Sequence, residues 1–313
     1  MDIPVKNYWF SSVLLLAGSL LLAAAAQAAP FTVQPVAPGI YAFVGELGLR
    51  TYENEGMNAT AGFIVTPEGV VVVDSGSSWR VAQQMHTAIK TVTRAPIKYV
   101  INTGGQDHRW LGNGYFQAQG AQIIAQRKTV ADIEERGAMQ LAGLQQELRD
   151  RFAGTEIVLP DQTFEQQHTL TLGGKEIRLL YFGGGHTPGD SVVWLPQDKV
   201  LFAGDLVFVD RLLGVLPFSR VGDWLASLAA IEQLAPAIIV PGHGAPCDLA
   251  KARRETADYL QLLNNHMREA LNNMVDLQEA IDSLDQSAYA HLPNYEMLKG
   301  GNASRVYLEL ELQ

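Results

Sequence analysis

The chain of 313 residues has one cysteine, Cys247, so no disulfide can form within it. Its stability has to come from a packed core, with a bound metal as the available supplement. Basic residues are scarce: 23 Lys and Arg stand against 33 Asp and Glu, a net charge of −10. Such a surface repels phosphate backbones and argues against a nucleic-acid partner. Charged residues of both signs make up only 18% of the chain and hydrophobic residues 47%, a globular rather than a disordered composition. There is no low-complexity tract and no block of like charge. Long apolar runs are absent beyond the first 28 residues.

That one run, Phe10 to Ala26, follows Lys6 and ends in Ala26-Gln27-Ala28. A positive start, an apolar stretch and small residues at its end form the pattern of a cleaved export signal. We expect cleavage after Ala28, a mature protein in the periplasm or secreted, and no stable membrane anchor after cleavage. A retained anchor is the alternative, since the run approaches the length of a short membrane span. The mature chain then reads as one domain over 29–290 with a tail over 291–313 docked on it.

Buried-strand patterns occur at Gly39–Val44, Thr60–Thr66 and Val70–Asp74, separated by Gly- and Pro-bearing turns. Val81, Met85, Ile89 and Val92 share one face of a helix. Strands are expected at 97–101 and 121–125, with a helix starting near Leu111 and a long polar helix over 126–152. Strand signals return at 156–159, 164–172, 176–182, 191–195 and 200–203, followed by a helix over 223–234 and a last core strand at 237–240. A long helix runs from about Leu249 into the 280s. Strands, then helix–strand alternation, then the same again, suit an α+β four-layer αββα sandwich, two sheets face to face with helices outside.

Three segments place glycine and a metal-capable residue just after a buried strand, where such sheets present ligands. The first is Asn102-Thr103-Gly104-Gly105-Gln106-Asp107-His108-Arg109-Trp110-Leu111-Gly112-Asn113. The second is Gly185-His186-Thr187-Pro188-Gly189-Asp190. The third pairs Gly204-Asp205 with Gly242-His243-Gly244. This order resembles the metallo-β-lactamase superfamily from about Ile40 to Pro246, and Val72-Val73-Asp74-Ser75-Gly76 matches that family's early strand-Asp-x-Gly. The family pattern runs His-x-His-x-Asp-His, Gly-His-(Ser/Thr)-Pro-Gly, Gly-Asp and Gly-His-Gly.

His186, Asp205 and His243 meet the last three motifs; the first motif departs from the pattern. Aligned without a gap, its two leading His positions hold Gly104 and Gln106, its Asp position His108 and its final His position Arg109. A one-residue shift instead matches Asp107-His108 to Asp-His and leaves Thr103 and Gly105 at the leading positions. By either alignment the leading histidines are gone. The resemblance implies a ligand set of His108, His186, Asp205, His243 and Asp107, with Gln106 as a further donor. It favours one Zn²⁺ over two, with iron or manganese as substitutes because no thiolate takes part. Arg109 is open between binding a substrate carboxylate or phosphate and pairing with an internal acid. Asp74 fits a supporting role in the loop network, and Cys247 reads as core. His86, His168, His266 and His291 read as ordinary hydrogen-bonded or solvated histidines.

The implied function is a metal-dependent hydrolase of a small-molecule substrate: an activated water attacks an ester, thioester, lactone or amide, with Asp107 or Asp205 orienting it. Two other readings stand beside it. One is a metal-poor accessory or binding protein that kept the fold, and the other is a β-lactam hydrolase. A redox role would need an iron centre. The segment Asn302 to Glu311 resembles the tail of periplasmic metallo-β-lactamase-fold proteins related to sulfur-oxidation and quinoprotein-relay zinc metallohydrolases; a docked terminal helix explains the same Val306, Leu310 spacing. The oligomeric state is left open by the sequence.

Overall fold

The computed structural model describes residues 1–2 and 29–313. The expected export signal, residues 1–28, lies outside the described residues from residue 3 onward. Among the described residues no helix is long and apolar enough to cross a membrane.

Seven strands form the first sheet in sequence order: β1 (Phe31–Ala37), β2 (Ile40–Gly45), β3 (Thr60–Thr66), β4 (Gly69–Val73), β5 (Ile97–Asn102), β6 (Gln122–Gln126) and β7 (Gln162–Phe164). The second sheet runs β12 (Ile238–His243), β11 (Val200–Phe208), β10 (Val192–Leu195), β9 (Lys175–Leu180) and β8 (Gln167–Leu172). Pairing is antiparallel through the β1–β4 meander and turns parallel at β4–β5, β5–β6 and β6–β7. In the second sheet only β11–β12 is parallel. Parallel neighbours need crossovers, and the helices supply them.

Those helices are α1 (Trp79–Val92), α2 (Asp107–Trp110), α3 (Asn113–Ala118), α4 (Arg127–Leu148), α5 (Val221–Leu234), α6 (Leu249–Ala252), α7 (Asp258–Asn272), α8 (Leu277–Asp282) and α9 (Tyr295–Glu311). Ser78 caps α1 by accepting from Val81 N–H, and Val81, Ala82, Met85 and Ile89 form its buried face. The two sheets share a central apolar layer including Ile64, Val71, Val73 and Ile101 from the first and Leu179, Val193, Phe202 and Val240 from the second. Helices cover the outer face of each sheet, through α1 and α3 on one side and α5, α7 and α9 on the other. The four layers expected from the sequence are therefore present.

Local differences have physical causes. No strand forms over 156–159, where an extended segment passes along the surface instead. The 164–172 signal is two strands, β7 and β8, belonging to different sheets. β1 was not foreseen, since only Phe31 of its seven residues is fully buried and its apolar pattern is weak. The helix after the first motif starts at Asp107, four residues earlier than expected. The helix from Leu249 is interrupted by a π turn over Arg253–Ala257 and ends at Asn272.

The tail docks as α9, with Ala303, Val306 and Tyr307 in the core beneath the second sheet. Buried Asn302 accepts from Val215 N–H at 2.8 Å and donates to Leu213 O at 2.8 Å and Tyr259 Oη at 3.1 Å. Leu212 N–H donates to Pro293 O at 3.0 Å, and Asn294 Nδ2 donates to Leu47 O at 3.0 Å. The C-terminal segment thus fixes both loops that flank the strand ends, 46–58 and 209–220.

Candidate metal centre

The strand ends of both sheets converge at one edge of the sandwich. β5 leads into the first motif, and Thr103 N–H and Oγ1 both donate to Asp74, which follows β4 in a left-handed backbone conformation (φ 65°). That φ is uncommon for a residue with a side chain. Here it turns the Asp74 carboxylate back toward the strand ends, where Arg109 Nη1 donates to it at 3.0 Å.

His108, Asp205 and His243 form the one group of metal-capable side chains found among the described residues; all are buried, with ligand atoms within 4.8 Å of one another. His108 Nε2 lies 3.2 Å from Asp205 Oδ2, and His243 Nε2 lies 3.2 Å from Asp205 Oδ1. Zinc–ligand bonds of about 2.0–2.1 Å in a tetrahedron give ligand–ligand edges of about 3.3 Å, so the two N···O separations suit a shared cation.

The hydrogen bonding of His243 fits one. Its Nδ1 lies 2.7 Å from Asn58 O, and a carbonyl can only accept, so Nδ1 carries the proton. Burial holds the ring's pKa well below the ordinary value, against the opposing pull of Asp205, and Arg211 pushes the same way as burial. A neutral ring with Nδ1–H presents a bare lone pair at Nε2. That lone pair faces a carboxylate oxygen, an arrangement that a metal ion or a proton between them makes favourable. The residues present therefore fit a divalent metal with two nitrogen donors and one carboxylate.

Arg109 is the second feature of the centre. Its side chain is fully buried and all five N–H groups are used. Nε and Nη2 donate to the two Asp205 oxygens at 3.1 and 2.5 Å, Nη1 to Asp74 and to Thr60 O at 2.7 Å, and Nη2 also to Gly242 O at 2.8 Å. Of the two roles open from sequence, the structure shows pairing with internal acids. Burial alone would lower Asp205's counter-cation, but Asp205 and Asp74 hold the guanidinium above its usual pKa. Burial likewise works to raise Asp205, and Arg109 with His108 outweighs it, keeping the carboxyl well below the usual range.

The other expected ligands, Asp107 and His186, are not members of that group. Asp107 turns toward Arg50, with which it forms a short ion pair, and its Oδ1 lies 3.3 Å from His108 Nδ1. Burial pushes the Asp107 carboxyl up, yet Arg50 and His108 overcome this and leave it below the ordinary value. His186 Nε2 lies 3.3 Å from the Gln106 amide nitrogen, and its ring packs against Phe208 and Trp224. Burial lowers its pKa to about 4.

The altered first motif has a steric explanation that sequence could not supply. A Cβ on Gly104 would stand 2.5 Å from Asp190 Oδ1, and one on Gly105 would fall far inside van der Waals contact with the Asp132 carboxylate. Asp132 comes from α4, where Arg136 pairs with it. Asp190 is fully buried, hydrogen-bonds Thr187 N–H and Oγ1, and has its pKa raised well above the usual range by burial, with Asp205 adding to it. By either alignment, then, one of the two leading positions is a glycine whose side-chain space an acid fills, Asp190 at Gly104 or Asp132 at Gly105.

Cys247 lies outside the centre; its backbone pairs with Ile239, and burial pushes its thiol up to about 12. His86 Nδ1 lies 2.9 Å from Tyr115 Oη and His266 Nε2 lies 2.9 Å from Ala280 O, both ordinary contacts. Beside the centre opens a cavity of about 520 Å³ whose wall includes Arg50, Gln106, Asp107, Leu49, Leu216 and Phe218.

The family model "Metallo-beta-lactamase superfamily" matches residues 55–243. A metallo-beta-lactamase type 2 of Elizabethkingia meningoseptica is 27% identical over 200 residues, 62% of this chain and 72% of that protein. Among solved structures, a metallo-beta-lactamase from Pontibacter korlensis superposes with a TM-score of 0.61 at 25% identity, covering 74% of this chain and 99% of that one. A stereoselective inverting sec-alkylsulfatase from a Pseudomonas species shares the fold, with a TM-score of 0.69 at 18% identity over 88% of this chain and 50% of that one. With its motifs, its paired sheets and a family match over more than half its length, the chain belongs to the metallo-beta-lactamase superfamily.

Proposed function

We propose that the chain is an exported metal-dependent hydrolase that works with one metal ion, zinc by its donor set. The observation that carries this reading is the approach of two histidine Nε2 atoms to the two Asp205 oxygens, each at 3.2 Å. His108, Asp205 and His243 would hold the ion, and Gln106 and Asp107, the neighbours of His108 in sequence, line the cavity. A divalent ion there supplies Lewis acidity, easing deprotonation of water and stabilising negative charge on a carbonyl or ester oxygen.

The protein's own groups do the rest. Asn58 O fixes the His243 tautomer, and Arg109 fixes both Asp205 oxygens. Arg109 also supports a single ion. Its guanidinium places positive charge against Asp205, which disfavours a second cation there, and an acid lies against the glycine that each alignment puts at a leading position. With Arg109 on both Asp205 oxygens, Asp107, which lines the cavity, is the carboxylate that could orient the attacking water as a hydrogen-bond acceptor. The low pKa that Arg50 enforces keeps it ionised and ready to accept a hydrogen bond. Export rests on the N-terminal sequence pattern.

The test is a panel of chromogenic ester, thioester, lactone, amide and β-lactam substrates with the mature protein. Turnover of at least one class is expected, lost in D205A and in H243A. Hydrolysis of the β-lactam alone would select the lactamase reading, which the relatives' names favour. Undiminished turnover in metal-free D205A would sink the mechanism.

A further inference from the structure

Gly143 lies inside α4, a helix of 22 residues. Glycine weakens a helix interior relative to alanine, because it surrenders more backbone freedom on folding. Nothing in the packing asks for it here. A Cβ built on Gly143 would meet no atom within 4 Å, and its φ is not in the left-handed region. Gly137 on the same helix is different, since a Cβ there would stand 3.3 Å from the Trp110 ring. Arg136, Met139, Gln140, Gly143 and Glu147 all line the cavity of about 520 Å³ beside the metal centre. Spaced by three and four residues, they share one face of α4 with Gly143 near its middle. The side chain that Gly143 lacks would therefore point into the cavity.

That face extends beyond the metal centre. Gln140 ties α4 to the first motif: its Nε2 donates to Gly105 O at 3.0 Å, and its Oε1 accepts from Trp110 Nε1 at 3.1 Å. From Gln140 to Glu147 the helix rises about 10 Å. The cavity thus continues as a groove past Gln106 and Asp107, which line its inner end. The charges on its wall are already neutralised. Arg50 pairs with Asp107, and Arg136 pairs with Asp132 while its guanidinium carbon lies 3.7 Å from the Phe218 ring centroid. What is left for a ligand is apolar: Met139, 67% exposed on α4, with Leu216 and Phe218 facing the same cavity. An unbranched methionine beside a glycine adapts to a flexible chain. Exposed Glu147 at the outer end repels an anionic terminus. The volume is that of a site for a ligand of drug-like size.

We propose that the groove along α4 takes an uncharged, extended alkyl or acyl chain, so that the substrate carries such a chain next to the bond that is cleaved, and that Gly143 sets the chain length admitted. This deepens the hydrolase reading and rests on it for the word substrate; chain binding itself does not depend on it.

The experiment is calorimetric titration of the mature protein, zinc-loaded and metal-free, with 1-hexanol, 1-octanol and 1-decanol. Wild type should show one saturable site that tightens by about fourfold per added methylene. G143L should bind 1-octanol and 1-decanol at least tenfold more weakly. A138L places a leucine at an exposed position of α4 outside the cavity wall and should bind as wild type does. G143A should melt no lower than wild type, since the fold does not need the glycine. In a series of p-nitrophenyl esters from acetate to decanoate, the decanoate-to-acetate ratio of kcat/KM should fall at least tenfold in G143L. Equal 1-decanol binding by G143L and wild type, an equal loss in A138L, a lower melting temperature in G143A, or no saturable site in wild type overturns the proposal. Gly143-dependent chain binding without turnover of any substrate would overturn the hydrolase reading and leave the groove standing; turnover of esters with no dependence on chain length would do the reverse.

Discussion

Replacing Arg109 by methionine tests the structural logic of the centre. The substitution keeps much of the side-chain length and removes all five donors. It strands the carboxylates of Asp74 and Asp205, both buried, together with the carbonyls of Thr60 and Gly242. Breaking a buried ion pair from one side costs about 3–5 kcal/mol, because the abandoned charge stays desolvated. At about 2–4 °C per kcal/mol for a domain of this size, metal-free R109M should melt about 10 °C lower. Urea unfolding of metal-free protein at pH 7 measures the loss directly. The double variant R109M/D205N should recover part of it, since the stranded charge is then gone.

The pH dependence of the same gap has a definite sign. Arg109 and His108, against burial, hold Asp205 well below its ordinary pKa. A depressed carboxyl contributes stability above the unfolded value of about 4, and loses it as pH falls through the folded value. The stability difference between wild type and R109M should therefore narrow in acid below about pH 4. A loss under about 1 kcal/mol at pH 7, no recovery in the double variant, or a gap that widens in acid would refute the reasoning.

Other outcomes follow from particular side chains. His186 has a folded pKa of about 4, so the unfolded chain binds a proton between pH 6.5 and 4 that the folded chain refuses. Metal-free protein should lose up to about 3 kcal/mol as pH falls through that window; H186N should lack that component in urea titrations, and an unchanged slope would contradict it. G105A forces a methyl onto the Asp132 carboxylate and should cost about 1–3 kcal/mol; adding D132A should remove most of that penalty in the same assay. Cys247, its thiol raised to about 12, should react with iodoacetamide at pH 8 far more slowly than in urea-unfolded protein; equal rates by mass spectrometry would contradict its burial.

The legibility of the molecule in its sequence follows the range of the interactions. Strand–glycine–ligand patterns are local, so His108, Asp205 and His243 could be read from three short segments, and those three side chains meet. The paired sheets followed from the order of strand and helix signals. What lay hidden depends on contacts between distant segments. Gly104 in one alignment and Gly105 in the other read as a missing histidine, and only the approach of Asp190 and of Asp132 on α4 shows that their space is filled. Arg109 was open between a substrate and an acid until Asp74, Asp205, Thr60 and Gly242 were seen around it. Asp107 and His186 stood in the right motifs, and Arg50 and Gln106, both distant in sequence from the residues they meet, lie against Asp107 and His186 respectively. Gly143 has no motif; its signal is the open space beside a helix, which exists only in three dimensions.

The most direct test of the account is bound metal per chain, measured by elemental analysis of mature protein purified without chelator and without added metal. The account predicts about one equivalent, chiefly zinc, lost in H243A and retained in the fold-preserving surface variant K128Q. Two equivalents would contradict the role given to Arg109, Asp132 and Asp190 in excluding a second ion. No metal, even after incubation with zinc, would contradict the hydrolase reading and favour a binding protein that kept the fold.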